Sequence, residues 1–203
     1  MVFIESFFME ECMSKIDIIN RCLIKLGEAP ISSFNSAVYG KSYEVMYDDM
    51  KKMLLSMYPW RFAIGEKKLV KDIELYGDRA KYCLPNDYLM LLRVFSNKVS
   101  DDCNQVDYDV VENFVVCDAK DGISIEYVKN IDEERNFSPL FREALIAKIA
   151  SEMSMRVKHS LELKQIFETE FYNLIRQAEF NNEIIKDVEN MPDNSWVLCR
   201  KTW

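Results

Sequence analysis

Few residues in this chain have the chemistry of catalysis or metal binding, and their spacing matches none of the common sites. His159 is the single histidine of 203 residues, so a Ser-His-Asp triad would have to use it, yet no serine lies in a nucleophile-elbow pattern. The six cysteines show no CxxC spacing, and the five glycines form neither a Walker A nor a GxGxxG sequence. We predict no catalytic residue, no metal site and no cofactor, and we expect the cysteines to be free thiols.

Acidic side chains are the remaining candidates for catalysis or metal binding. The dense clusters are Asp101-Asp102 and Asp132-Glu133-Glu134, and we interpret both as solvated loops. Two carboxylates that hydrolyse a glycoside can lie far apart in a sequence, but among 34 acidic residues some pair always looks suitable. The chain is therefore interpreted as a non-enzyme, and a hydrolase that uses a carboxylate pair is kept as the alternative.

The net charge of −8 limits the partners of the protein. Proteins that bind nucleic acid by neutralising phosphates carry basic surfaces, so a helical DNA-binding regulator is disfavoured. No run of about 18 apolar residues is present, and no transmembrane helix is expected. Residues 1–12 contain three glutamates and no basic start, unlike a secretory signal. Because Met13 offers a second start, we interpret residues 1–12 as an N-terminal extension, with a misassigned start codon as the alternative.

Composition and periodicity predict a mainly α protein. Five glycines and five prolines are few for the many tight turns of an all-β chain. We predict an antiparallel helical bundle with a small inserted antiparallel β region, at about residues 80–130, and a long C-terminal helix. The predicted helices cover residues 15–26, 39–58, 138–158 and 161–189, within a single domain of residues 13–190. Gly27 is the predicted left-handed end of the first helix, and Ser138 with Pro139 begins the third.

The second predicted helix ends in an aromatic anchor. Pro59 disfavours a helical conformation at the residue before it. Trp60 and Phe62 follow at alternate positions, where both rings can cover a core, so Pro59, Trp60 and Phe62 are treated as structural anchors. The predicted core face, spaced by three and four residues, consists of Tyr43, Met46, Met50, Leu54 and Met57. The predicted solvent face carries Asp48, Asp49, Lys51 and Lys52.

Three short β-type runs, residues 106–111, 114–117 and 123–128, predict an antiparallel meander. Glu112-Asn113 supplies one turn and Lys120-Asp121-Gly122 the other, where the Asp-Gly pair indicates a hairpin because it accommodates positive φ. Residues 88–95 are predicted to be a turn of helix that runs into a strand. Residues 65–72 are predicted to be a charged connector with room for a helical turn or an edge strand.

The C-terminal tail, residues 191–203, is apolar for a chain end. Tryptophan and arginine are typical anchors of protein interfaces, so we predict that this tail docks on a partner; a tail folded back on its own core is the alternative. The predicted docking residues are Trp196, Val197, Leu198, Arg200 and Trp203. The last helix should be about 40 Å long, which exceeds a compact domain of this size, so part of it should project or pack against another chain.

Four segments carry a resemblance to a known family by their order and spacing. They are Ile18–Phe34 (IINRCLIKLGEAPISSF), Met53–Ala63 (MLLSMYPWRFA), Tyr82–Leu89 (YCLPNDYL) and Phe137–Ser154 (FSPLFREALIAKIASEMS). With the strand pair between the last two segments and the long final helix, they resemble the head-to-tail connector (adaptor) proteins of tailed bacteriophages, such as the tail accessory factor and tail tubular protein A. The similarity covers roughly residues 15–185, and the turn at residues 112–113 departs from it by lacking a glycine.

The resemblance implies a virion structural protein whose activity is binding. Such connectors form a homo-oligomeric ring of about a dozen copies under the portal protein, extend the DNA channel and dock the next tail protein. DNA would pass without specific binding, since acidic walls repel phosphates, and no membrane is involved. The implied location is the head–tail junction of the virion, with the host cytoplasm during assembly. The alternative function is a tail-associated cell-wall hydrolase.

Overall fold

The computed structural model describes residues 14–35, 39–96 and 105–189. In these residues the helices are α1 (Lys15–Lys25), α2 (Gly40–Met57), α3 (Pro139–Val157) and α4 (Leu161–Glu189). The strands are β1 (Ile64–Leu69), β2 (Lys71–Tyr76), β3 (Arg79–Cys83), β4 (Tyr88–Ser96), β5 (Tyr108–Val111), β6 (Phe114–Cys117) and β7 (Ile123–Lys129). The chain divides into two compact units: the first contains Ile31–Phe137, and the second joins Ile18–Pro30 to the chain from Ser138 onward.

The protein has a mixed α/β fold, and the predicted mainly α helical bundle is wrong. The described residues hold four α-helices but also seven strands, in one antiparallel sheet of order β1-β7-β4 and another of order β2-β3-β6-β5. The β region starts at Ile64 instead of near residue 80, because the predicted charged connector forms β1 and β2. In β1, Glu66, Lys67 and Lys68 are exposed and Leu69 is buried. Charges of this kind are typical of an edge strand, and they conceal its β pattern in the sequence.

The strand β7 does not continue the predicted meander. β5 and β6 form a hairpin, but the other edge of β6 pairs with β3. β7 pairs instead with β1 and β4, in the other sheet. Gly122 has the positive φ expected of it, at 96°, yet it lies in a connection between two sheets and not in a hairpin. The prediction of this second hairpin is therefore wrong.

One hydrophobic cluster of the first unit draws on both sheets. Its buried side chains are Leu69, Ala80, Tyr82, Leu84, Val94, Val115, Cys117, Ile123, Ile125 and Tyr127. The hydroxyl of Tyr82 donates to the carbonyl oxygen of Ala119 at 2.6 Å, and that of Tyr127 donates to the Asp87 carboxylate at 3.2 Å, as buried polar groups require. β4 is a strand from Tyr88 onward, which corrects the predicted helical turn, because it pairs with β7 along its length.

The face that α2 buries differs from the predicted one. Its buried residues are Gly40, Tyr43, Tyr47, Lys51, Leu54 and Leu55. Met57, which was placed on the core face, is 48% exposed, whereas Lys51, which was placed in solvent, is 2% exposed. A lysine can bury its long apolar stem when its ammonium finds a polar partner, and the periodicity of apolar residues cannot reveal this.

The second unit packs the α1 residues from Ile18 onward with α3 and α4. The buried side chains that α3 and α4 contribute include Phe141, Leu145, Ile149, Met153, Phe167, Phe171 and Ile175. Two ion pairs join α1 to the other helices: Arg21 to Glu143 at 3.2 Å and Lys25 to Glu170 at 2.5 Å. Both pairs are part-exposed, so their net contribution to stability is small, about 0–1 kcal/mol each, and the apolar contacts dominate.

The ends of these helices follow the expected capping rules with one exception. Ser138 accepts a hydrogen bond from the backbone N–H of Phe141 at 3.3 Å, with Pro139 in the first turn of α3, as predicted. Gly27 follows α1 with a φ of 70°, which confirms its predicted left-handed conformation. Between α3 and α4, however, His159 has a φ of 51°, in a region that glycine adopts at lower cost.

Replacing Glu112 with glycine should raise the free energy of unfolding by about 1 kcal/mol, because Glu112 has a φ of 54° and a left-handed conformation is costly for a residue with a Cβ. It is the first residue of the two-residue loop between Val111 and Phe114, where a positive φ favours glycine. Urea unfolding of the purified protein measures the change. Asn113→Gly is the matched control: it should not stabilise, because Asn113 has no positive φ.

Candidate functional site

The predicted docking residues lie outside the described part of the chain. Trp196, Val197, Leu198, Arg200 and Trp203 all belong to residues 190–203, which follow the last described residue of α4. Their role in docking stays a prediction. The described surface nearest to them in sequence is α4, and its side chains therefore bear most directly on a binding function.

The helix α4 has one buried apolar face and several exposed apolar residues. Phe167, Phe171, Ile175 and Ala178 pack into the second unit and are at most 8% exposed. Elsewhere on the helix, Phe180 is 67% exposed and the exposed Ile184 lies one turn further, whereas the exposed Ile166 is separated from them by the polar Asn173 and Gln177. Ile166 and Ile184 are 18 residues apart, which is five whole turns, so they lie on the same side of the helix. In the described residues, no helix is both long and apolar enough to span a membrane.

An exposed apolar face on a long helix is typical of a protein interface. The exposure of Phe180 and Ile184 was not predicted. The signal for it was present, because these two residues are four apart and lie on one side of the helix.

The predicted anchors follow α2 directly and belong to the core. Trp60 is 1% exposed, and its Nε1 donates to the carbonyl oxygen of Leu54 at 2.8 Å, so it satisfies an acceptor in the last turn of α2. The rings of Trp60 and Phe62 are stacked with centroids 6.0 Å apart, and the Phe62 ring lies 6.0 Å from that of Phe137. Pro59 immediately precedes this stack. Trp60 is therefore part of the core, whereas Pro59 and Phe62 are half-buried.

A cluster of buried polar residues on α2 was not predicted. The hydroxyl of Tyr47 donates to Oε1 of Glu134 at 2.9 Å, and both side chains are buried. One turn further, Nζ of Lys51 donates to the carbonyl oxygen of Ile131 at 2.8 Å and lies 3.9 Å from Oδ1 of the exposed Asp132. The prediction that the acidic run at 132–134 is a solvated loop is therefore wrong for Glu134, because Tyr47 supplies it with a buried donor.

The pKa values in this cluster follow from burial. Burial lowers the pKa of Lys51, although the charges of Asp132 and other carboxylates oppose the shift. Burial raises the pKa of Tyr47, and the adjacent charge of Glu134 raises it further. At the edge of the cluster, burial alone would lower the pKa of Lys15, but its hydrogen bond to Asp48 at 2.9 Å raises it overall. Tyr47 therefore stays protonated as a donor.

Replacing Tyr47 with phenylalanine should reduce the loss of stability at high pH. Since folding raises the pKa of Tyr47 above its ordinary value of 10.0, the unfolded chain loses this proton first, and stability falls as the pH rises above about 10, by up to about 1.4 kcal/mol per pH unit. The lowered pKa of Lys51 has the opposite sign and raises stability as the pH approaches 10.5. Urea unfolding at pH 8–11 should therefore show that the destabilisation caused by Tyr47→Phe shrinks above pH 10. A constant difference across this range would contradict the expectation.

Other reactive side chains in the described residues do not form a catalytic arrangement. His159 is exposed at the junction of α3 and α4. Cys22, Cys83 and Cys117 are free thiols, and burial raises the pKa of Cys22 to about 12, which makes its thiol a poor nucleophile. Within the described ranges, no group of three histidine, cysteine or acidic side chains is arranged to hold a metal ion.

Comparisons with known proteins identify no relative of this chain. A scan against protein-family models finds no family that matches the chain. A search of curated proteins finds no match either. The function proposed below therefore rests on the residues of this chain.

Proposed function

We propose that this protein is a virion structural protein, a head-to-tail adaptor that forms a ring under the portal of a tailed bacteriophage. In that role it extends the DNA channel and docks the next tail protein. The observation that carries the proposal is the exposed apolar pair Phe180 and Ile184 near the end of the 29-residue helix α4, with Phe180 at 67% exposure. The order of sequence segments that resembles phage connectors supports it.

The energetics of α4 favour a protein partner over a free monomer. Burying a phenylalanine side chain contributes about 1.5–3 kcal/mol, so covering Phe180 and the adjacent Ile184 would favour association with a partner. The partners that fit are neighbouring copies of this chain within a ring and the portal protein, with the tail at residues 191–203 as a second contact.

The overall charge supports the passage of DNA without binding. At a net charge of −8 the protein repels phosphate backbones on average. Acidic walls along a channel would therefore let DNA slide through during packaging and ejection. Neutralising the residues that line such a channel should slow this passage, and an unchanged ejection rate would count against this part of the proposal.

Deleting residues 191–203 should leave a folded protein that no longer joins portal rings, because the deletion removes the predicted tryptophan and arginine anchors. Electron microscopy of the purified protein mixed with its portal measures the result: full-length chain adds a ring of density and the truncated chain does not. Circular dichroism of the truncated protein checks that it is folded. A truncated chain that still assembles normally would overturn the docking role of the tail.

The same assay tests the face of α4. Phe180→Ser removes the most exposed phenylalanine of the helix and should abolish or weaken ring formation. Val70→Ser is the matched control, because Val70 is 87% exposed at the junction of β1 and β2 and lies outside the proposed interface. Equal assembly of both variants would contradict the role of α4. Cleared cell wall in a zymogram of the purified protein would favour the hydrolase instead.

A further inference from the structure

The segment that connects β7 to α3 is attached to α2 by buried side-chain hydrogen bonds. Residues 130–137 contain no long helix or strand; they include one short 3-10 turn, Glu134–Asn136. Within this connecting segment, Ile131, Glu134 and Phe137 are each less than 9% exposed. A buried irregular segment needs partners for its polar groups, and α2 supplies two of them through Tyr47 and Lys51.

The two hydrogen bonds from α2 join buried side chains to the segment. Its backbone bonds run from Asn136 N–H to the carbonyl oxygen of Glu133 and from Phe137 N–H to that of Glu134, each at 3.2 Å, and from Asn130 N–H to that of Asp87 at 2.7 Å. The ring of Phe137 also lies 6.0 Å from that of Phe62. Tyr47 and Lys51 lie 87 and 80 residues away in sequence from the groups that they bind. Both are buried side chains on one face of a helix, so they tie the segment to a rigid support.

We propose that Tyr47 and Lys51 form a latch that holds residues 131–137 on α2, and that this latch opens without unfolding α2 or the two sheets. Local openings of this kind occur in segments that bury little apolar surface, and four of the seven residues, Asp132, Glu133, Arg135 and Asn136, are exposed. The connecting segment ends at Phe137, where the chain passes from the first compact unit to the second. An open latch would leave residues 131–136 free to change conformation. The inference does not depend on the proposed role in a virion.

The latch has an energetic basis in buried polar groups. Loss of the Tyr47 hydroxyl leaves the Glu134 carboxylate without this donor, and loss of the Lys51 ammonium leaves the Ile131 carbonyl without one. Each unsatisfied buried group raises the free energy of the closed state by an amount that corresponds to roughly a 5- to 150-fold change in an equilibrium constant. The open state, in which water satisfies the same groups, is affected much less.

Hydrogen exchange with mass spectrometry on the full-length chain tests the latch. Tyr47→Phe, Lys51→Met and the double variant should speed exchange of the amides in residues 131–137 about tenfold or more, in line with a lost buried hydrogen bond. Exchange of the amides in β6 and β7 should stay within about twofold of wild type. Tyr82→Phe is the matched control, because it also removes a tyrosine hydroxyl bound to a backbone carbonyl, in the core of the sheets, and should leave residues 131–137 unchanged.

Two outcomes would overturn the proposal. The first is an equal acceleration of exchange in residues 131–137, β6 and β7, which would mean that the variants only lower global stability. The second is unchanged exchange in residues 131–137 of the double variant, which would mean that other contacts hold the segment. Because Tyr47→Phe keeps the ring and removes one oxygen, this variant keeps the core packed and serves if Lys51→Met does not fold.

Discussion

Replacing Trp60 with alanine is expected to lower the free energy of unfolding by about 3–5 kcal/mol, which is the usual effect of removing a large buried ring. Trp60 is 1% exposed and stacks on Phe62 with ring centroids 6.0 Å apart. Its loss also removes the donor to the carbonyl oxygen of Leu54. Because a typical domain is stable by only about 5–15 kcal/mol, a large part of the population should unfold at moderate temperature. Urea unfolding followed by circular dichroism measures the change.

One further variant of Trp60 and one control variant test this prediction. Trp60→Phe keeps an aromatic ring but has no N–H, so it should cost less than the alanine variant, about 1–3 kcal/mol. Tyr76→Ala removes an aromatic side chain that is 56% exposed and should change stability by less than about 0.5 kcal/mol. A loss below about 1 kcal/mol for Trp60→Ala would show that the anchor does not hold the end of α2.

Replacing Gly40 with alanine is expected to lower the free energy of unfolding by about 3 kcal/mol. Alanine favours a helix over glycine by about 1 kcal/mol, so propensity alone predicts the opposite sign at the start of α2. A Cβ at Gly40, however, would lie 1.8 Å from the carbonyl oxygen of Phe34, and a backbone atom cannot move aside as a side chain can. Overpacking of this kind typically costs about 1–3 kcal/mol and sometimes more. Thermal unfolding of the variant measures the loss.

Gly65→Ala is the matched control for this substitution. A Cβ at Gly65 would lie 3.4 Å from Cδ of the flexible Lys129 side chain, which is close to an ordinary contact. Glycine is also a weak strand residue, so alanine in β1 should be neutral or slightly stabilising. If both variants lost the same stability, the close approach of Phe34 to Gly40 would not be the cause.

Local patterns in the sequence predict the helices well, because capping and proline effects act over a few residues. Ser138 and Gly27 have the predicted roles at the ends of α3 and α1. The end of α2 before Pro59 also follows from a local steric clash. The observed bounds of all four helices in the described residues therefore lie within one residue of the predicted ones.

Contacts between distant residues explain what local patterns could not predict. The pairing of β7 with β1 joins Leu69 to Ile123, whereas the turn signal beside Ile123, Asp121-Gly122, predicts a hairpin with the preceding strand. Lys51 is buried because its ammonium meets the carbonyl oxygen of Ile131, 80 residues away. The fold class was mispredicted for the same reason: β1 and β2 carry several charges, and only their partners in the sheets make them strands.

The candidate site was likewise predictable only in part. The tail with Trp196 and Trp203 could be singled out by composition, but composition does not place it on a surface. The exposed pair Phe180 and Ile184 could have been found from their spacing of four residues. That the side with Phe167 and Phe171 packs inward depends on α1 and α3, and this requires the tertiary structure.

The discontinuous second unit constrains the order in which a nascent chain can fold. Arg21 binds Glu143, 122 residues later, and Lys25 binds Glu170, 145 residues later. During synthesis, therefore, α1 emerges from the ribosome long before its partners exist, with Ile18, Ile19 and Leu23 still uncovered. The continuous stretch Ile31–Phe137 can become compact in the meantime. Because contacts of high sequence separation form slowly, docking of α1 should be the last folding step, and chaperones that bind apolar helices should act on this interval.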